Sequence, residues 1–228
     1  MQPARERTYT LAVPVLEYTV ISVCGYLLGS IPFGYVVARL KGVDIRTVGS
    51  GNIGATNAFR VLGKGPGVFV LLADALKGFA ASFWMIPLLQ MLGLDAANDV
   101  TERAVAGFAA ILGHTFTCWL RFKGGKGIAT SAGVYFAVAW PAAVIALSSW
   151  IVLFVTTRYV SIASIVAAVA LPAGVWATFS THHSIPLGLA TTALGAMAIW
   201  KHRSNISRLR AGTENRIEFS KKPTTAKS

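Results

Sequence analysis

Residues 159–200 contain no Lys, Arg, Asp or Glu over 42 consecutive positions. Crossing about 30 Å of hydrocarbon takes roughly 20 apolar residues in a helix. This run is therefore long enough to cross a bilayer twice, and the polar stretch STHHSIP at 180–186 divides it. Residues 18–38, 104–120 and 127–157 are also free of Lys, Arg, Asp and Glu, and residues 68–94 carry only Asp74 and Lys77. Charged residues make up 13% of the chain, against about 25% in a soluble domain. The chain reads as an all-α integral membrane protein in one embedded domain over residues 1–228. A polar extension (1–12) precedes that domain's spans, and a basic tail (217–228) follows them.

Charge sets the number of crossings. Residues 39–64, 121–126, 158 and 201–228 hold 17 of the 21 Lys and Arg, whereas the other side receives Arg5, Arg7 and Arg103. The loop at 91–103 carries Asp95, Asp99 and Glu102 instead. Basic loops stay in the cytoplasm, so residues 127–157, basic at both ends, must cross twice. As one helix this 31-residue run would be about 46 Å long. Trp140-Pro141 lies in its middle, and its first half, about 127–139, is short for a crossing. The expectation is seven transmembrane helices with an outer amino terminus and a cytoplasmic carboxyl terminus. The polar first ten residues meet no short apolar run with a small-residue cleavage site, so no cleaved signal peptide is expected. Cys24 and Cys118 fall in apolar runs and read as buried thiols.

Three cytoplasmic stretches are rich in glycine, small hydroxyls, Asn, Lys and Arg: DIRTVGSGNIGATNAFRVLGKGPG, RFKGGKGIATSAG and KHRSNISRLRAGTENR. RYVSIAS at 158–164 is a smaller one. Glycine lets backbone amides approach an oxyanion, Ser, Thr and Asn add neutral donors, and Lys and Arg add charge. This chemistry suits phosphate. Gly49, Gly51 and Gly54 match G-x-G-x-x-G, with Asp74 twenty residues on. A dinucleotide-binding turn must follow a strand and open a helix of a βαβ unit, whereas this one follows a membrane helix. KGGKG lacks the first glycine and the Ser or Thr of a Walker A loop. The candidate substrate-binding residues are Gly49, Gly51, Gly54, Thr56, Asn57, Lys123, Gly124, Gly125, Gly127 and Arg203, with Lys126 at the centre of the second loop. Three glycines beside Lys126 make a poor helix start, which calls for a compensating role.

Asp74 and Lys77 stand three apart on one helix. They read equally as a functional pair and as an internal pair holding helices together. His114 reads as a histidine satisfied at a helix end, with a donor or ligand role as the other reading. His182 and His183 face outward. His202 lies with Arg203 and Asn205 at the inner membrane edge, where phosphate chemistry would occur. Arg208, Arg210, Lys221, Lys222 and Lys227 read as topology signals.

The chain resembles the bacterial acyl-phosphate:glycerol-3-phosphate acyltransferases, the PlsY family. The matching pieces are GSIPFGYVVARLKGVDIRTVGSGNIGATNAFRVLGK (29–64), DALKGF (74–79), GHTF (113–116), RFKGGKGIATSAGV (121–134), RYVSIASI (158–165) and HRSNISRLRAGTE (202–214). The resemblance implies seven membrane helices and a cytoplasm-facing site in the inner membrane. It implies acyl transfer from acyl phosphate to the 1-hydroxyl of glycerol 3-phosphate, giving lysophosphatidic acid and phosphate, the first acylation of phospholipid synthesis. It implies Ser50, Asn52, Arg60, Lys126, Ser164, His202 and Asn205 as the residues lining the site. It also implies membrane lipids as surroundings and a functional link to an acyl-carrier-protein phosphate acyltransferase.

Within that reading, no histidine stands at H-x-x-x-x-D spacing, and the inner loops offer only Asp44 and the acids of the tail. A triad is therefore unsupported, and the departing phosphate would take the proton. No metal, cofactor or nucleic-acid partner is expected. An anion or phosphate-ester transporter is the alternative, but it would place its site at mid-membrane with repeated halves, and here the polar motifs gather on one face. The acidic metal motif of a CDP-alcohol phosphotransferase is absent.

Overall fold

The computed structural model describes residues 12–94, 96–178 and 185–217. Regular structure among these residues is helical. His182, His183, Lys221, Lys222 and Lys227 lie outside them. The chain divides into two compact units, one through Val138 and the other from Ala139 onward.

In the first unit, α1 (Ala12–Ser30) and α2 (Phe33–Leu40) share one apolar run. Ile31-Pro32 interrupts it, with Pro32 at the cap of α2, because proline has no N–H to continue a helical ladder. Next come α3 (Ala55–Leu62), α4 (Lys64–Phe83) and the short α5 (Met85–Met91). α6 (Val100–Thr115) starts before the charge-free run does. Asp99 caps it by accepting from the Thr101 and Glu102 amides (2.8 and 2.9 Å), and Glu102 reaches back to the Ala97 amide (3.0 Å). This is close to a reciprocal cap, with Glu102 meeting the amides of Ala97 and Asn98 in place of that of Asp99 itself. α6 also ends early, at Thr115, and a 3-10 turn over Cys118–Leu120 follows. α7 (Ile128–Val138) completes the unit.

α1 packs on α6, and α4 packs on α3, α6 and α7. The contacts are backbone-close. A Cβ on Gly29 would strike Ala110, one on Gly113 would strike Tyr26, and one on Gly133 would strike Ala75. Small residues at helix crossings are the usual packing solution in lipid, where dispersion and close approach drive association.

The second unit has α8 (Trp140–Thr157), α9 (Val160–Ala177), α10 (Ile185–Lys201) and α11 (Arg203–Arg210). The 127–157 run breaks at Ala139, and Pro141 sits in the first turn of α8, where its missing N–H costs no helical bond. α9 packs on α8 and α10.

Four helical stretches are long and apolar enough to cross a membrane: Val15–Leu40, Lys64–Phe83, Trp140–Thr157 and Val160–Ala177. α7 has 11 residues, about 16 Å of helix, and with α10 it is a shorter apolar helix. Leu72, Val152 and Val155 stay exposed on the long helices, as residues facing lipid do. Cys24 and Cys118 are free thiols and half-buried, not fully buried as expected.

Candidate active site

The first glycine-rich loop leaves α2 and enters α3 around one side chain. Asn57, in the first turn of α3, is 1% exposed. Its Nδ2 donates to the carbonyls of Ile45, Val48 and Asn52 (3.2, 3.1 and 2.9 Å), and its Oδ1 accepts from the Ser50 amide (2.9 Å). The amide group is thus engaged on both sides, so Asn57 builds the loop.

The glycines follow from that geometry. Gly49 has φ +64°, and a Cβ there would strike Asn57 Oδ1; Gly51 has φ +69°. The Gly51 amide donates to Val48 O (3.1 Å) and the Gly54 amide to Asn52 Oδ1 (2.8 Å). The fingerprint spacing therefore wraps the chain around a buried amide, with two amides turned inward. Ser50 is left exposed, and Asn52, Thr56 and Arg60 are half-buried. The first turn of α3 carries no side-chain cap, and an open helix N-terminus favours an anion.

At the loop's outer edge, Arg46 grips Asp44 through Nε and Nη2 (2.9 and 2.6 Å). The Arg46 hydrogen bonds hold the Asp44 carboxyl down to about 2. Ile53, Ala58, Val70 and Leu120 share one hydrophobic cluster, which seats this loop and the 3-10 turn on a common base.

The second loop turns back on the end of α6. The Gly124 amide donates to Thr115 O (3.2 Å) and the Gly125 amide to His114 O (3.0 Å). A Cβ on Gly125 would collide with His114 Nε2, and one on Gly124 with the His114 carbonyl. These two amides, expected to be offered to phosphate, satisfy the terminal carbonyls of α6 instead. That capping, together with the contact on His114, compensates for a glycine-rich start to α7. Gly127 turns the chain at φ +83°. Lys126 is half-buried and Lys123 exposed.

Beneath this loop, Asp74 Oδ1 lies 2.8 Å from Lys77 Nζ and 3.4 Å from His114 Nδ1. Lys77 Nζ also donates to Ile31 O (2.8 Å) at the α1–α2 break.

The remaining expected site residues belong to the second unit. Ser164 on α9 is 3% exposed, and its Oγ accepts from Trp150 Nε1 (3.1 Å). His202 is 3% exposed, with Nδ1 2.7 Å from Ala198 O. Asn205 Nδ2 donates to Glu214 Oε1 (2.7 Å), and Arg208 Nε donates to Glu214 Oε2 (2.6 Å). Burial alone would push the Glu214 carboxyl up; the Asn205 and Arg208 donors outweigh it and hold the group below the usual carboxylate range. Arg208 is thus an ion-pair partner and not only a topology signal. Arg203 is exposed and stacks over the Trp200 ring, 4.5 Å from its centroid.

Two arrangements have no signature in the sequence. Glu214 carried no signal beyond its place in a matching stretch. His114 joins the Asp74–Lys77 pair from another helix, which no local spacing reveals. Among the described residues, no group of three or more His, Cys, Asp and Glu is placed to hold a metal ion.

Comparison with known proteins covers both glycine-rich loops. The family model for glycerol-3-phosphate acyltransferase matches residues 19–212. The glycerol-3-phosphate acyltransferase of Synechococcus sp. (strain JA-2-3B'a(2-13)) is 47% identical over 194 residues, covering 85% of this chain and 91% of that protein. The one from Geobacter sulfurreducens is 44% identical over 204 residues, covering 90% and 100%. Among solved structures, the glycerol 3-phosphate form of PlsY (YgiH), an integral membrane glycerol 3-phosphate acyltransferase, superposes with a TM-score of 0.77 at 40% identity, covering 88% of this chain and 96% of that one. Its lysophosphatidic acid form gives 0.74 at 39% identity, covering 88% and 95%. The protein is an acyltransferase and belongs to the PlsY-type glycerol-3-phosphate acyltransferase family.

Proposed function

We propose that this protein transfers a fatty acyl group from acyl phosphate to the 1-hydroxyl of glycerol 3-phosphate, giving lysophosphatidic acid and inorganic phosphate. The observation that carries this reading is a family match that runs through both glycine-rich loops, with similar structures described in glycerol 3-phosphate and lysophosphatidic acid forms. The 1-hydroxyl attacks the acyl carbonyl carbon, the carbonyl carbon–oxygen bond to phosphate breaks, and the departing phosphate takes the hydroxyl proton. Acyl phosphate is already activated, so the protein's task is to hold two anions in reacting geometry. Arg60 and Lys126 offset their mutual repulsion. Ser50, Asn52 and the open first turn of α3 add neutral donors. By likeness to the family, Ser164, His202 and Asn205 line the site, and Thr56, Lys123 and Arg203 add donors and charge for phosphate. Gly49, Gly51, Gly54, Gly124, Gly125 and Gly127 shape the loops that carry them.

The same reading sets seven crossings of the bacterial inner membrane, an outer amino terminus, and both loops facing the cytoplasm. The donor would come from an acyl-carrier-protein phosphate acyltransferase. The deciding assay uses purified protein with glycerol 3-phosphate and, in parallel, acyl phosphate, acyl-CoA or acyl carrier protein as donor, following phosphate release and lysophosphatidic acid. Acyl phosphate alone should support turnover, with EDTA without effect. Preference for acyl-CoA, or loss of activity in EDTA, would overturn the assignment. For topology, single cysteines at exposed Lys123 and Ala97, in a background lacking Cys24 and Cys118, should label from the cytoplasmic and outer sides respectively. Labelling of both from one side would sink the seven-crossing arrangement.

A further inference from the structure

Asp74, Lys77 and His114 are buried ionisable groups with no part in the chemistry above; they are 3%, 3% and 6% exposed. A buried ion pair is weak evidence for stability, since apolar residues of similar volume often serve as well. Ionisable groups inside a span are kept for a task. The contacts made by these three side chains indicate the task.

Lys77 Nζ bridges Asp74 Oδ1 (2.8 Å) and the carbonyl of Ile31 (2.8 Å). It thereby ties α4 to the break between α1 and α2. On the other side, Asp74 Oδ1 stands 3.4 Å from His114 Nδ1. The far edge of the same imidazole, at Nε2, is where the backbone of Gly125 presses so closely that no side chain fits. The Gly125 amide is bonded to the His114 carbonyl as well (3.0 Å). The residue before Lys126 is therefore held by both the main chain and the ring of His114. The ring in turn faces Asp74, and Asp74 is paired to Lys77. A rotation of the imidazole toward the loop would push on the peptide from which Lys126 extends.

We propose that Asp74, Lys77 and His114 are positioning residues that fix the backbone of Lys126, an inference that rests on the role given to Lys126 above. Misplacing a reacting group by about 1 Å can cost on the order of 100-fold in rate. The network acts through Lys126 and touches no substrate.

The test is a double-mutant cycle on the full-length protein, with kcat, KM for glycerol 3-phosphate, and the thermal midpoint in detergent measured for each variant. Asp74→Asn keeps the shape and removes the charge. It should lower kcat about 10- to 100-fold while KM stays within about twofold. In a Lys126→Ala background the same change should cost less than about threefold, since residues acting as a unit are not additive. If Asp74→Asn fails to fold, Gly125→Ala probes the same link from the loop side. It leaves all three ionisable groups in place and pushes on the imidazole, and it should show the same loss and the same non-additivity. Equal fold-losses in both backgrounds, or losses that follow the thermal midpoint, would overturn the positioning role and leave the function of Lys126 standing. Wild-type turnover in Lys126→Ala would overturn the role of Lys126, and the inference with it.

Discussion

The loops at 48–57 and 123–127 are both glycine-rich and both carry a proposed substrate contact, yet they are held in opposite ways. The first is closed by a neutral side chain, Asn57, whose four partners lie within twelve residues of it. The second is fastened from outside itself, to the end of α6 and, through His114, to a charged pair on α4. Glycine serves the first loop by adopting positive φ beside Asn57 and serves the second by letting the chain touch an imidazole. In both, several amides are bonded inward, so glycine content measures how closely a chain must pack as much as how well it can bind an anion.

The largest expected effect tests the neutral anchor. Asn57→Leu leaves the Ser50 N–H and the Ile45 and Asn52 carbonyls without their partner, while Val48 O keeps the Gly51 amide, at about 1–3 kcal/mol for each buried group left unsatisfied. The variant should fail to yield monodisperse, folded protein from detergent extracts. A normal yield and thermal midpoint would show that the loop has another support.

Next in size is Lys126→Ala. Loss of a charge-assisted contact of about 1.5–3 kcal/mol that strengthens in the transition state lowers turnover about 10- to 150-fold. Lys126→Arg should rescue poorly, because a planar guanidinium does not replace a point charge. Lys222→Ala serves as the control and should match wild type at equal amounts of folded protein.

Gly49→Ala separates the two uses of glycine. A left-handed conformation costs a residue with a side chain roughly 1–2 kcal/mol, and the new Cβ meets Asn57 Oδ1. The thermal midpoint should fall, and more than for Gly42→Ala, where φ is also positive but the Cβ meets open space. Equal falls would assign the whole effect to backbone conformation.

The smallest effect belongs to the loop's rim. Asp44 is held down to about 2 by its hydrogen bonds from Arg46. A depressed carboxyl contributes stability that is complete above its ordinary range and fades as pH falls through the folded value. Between neutral pH and about pH 5 the pair should therefore leave stability unchanged, and Asp44→Asn should leave turnover unaltered, since an exposed pair contributes little. A pH-dependent midpoint over that interval that vanishes in Asp44→Asn would contradict this.

Legibility followed the range of the interactions. The break at Trp140-Pro141 could be read because proline imposes its constraint locally, and α8 begins there. In sequence Asp99 and Glu102 read as acids of an outer loop, though their spacing is also that of a reciprocal cap. The Asp74–Lys77 pair was visible as two charges on one helix face, while its third member on α6 was not. Glu214 looked like tail because its burial depends on α11 folding under it, where Asn205 and Arg208 meet it.

By itself the sequence determined that the chain is helical and built for a bilayer, because a scarcity of charge over such lengths has no soluble solution. It also determined that small and basic residues gather in a few loops, because composition and spacing are properties of the chain alone. Only the tertiary structure decided what those loops rest on. Whether a glycine amide points at a ligand or at a neighbouring carbonyl depends on which helix end passes beside it. Likewise, whether a buried Asp–Lys pair stands alone or leans on a histidine depends on how α4 and α6 cross. Both are outcomes of packing between segments distant in sequence, and no local pattern encodes them.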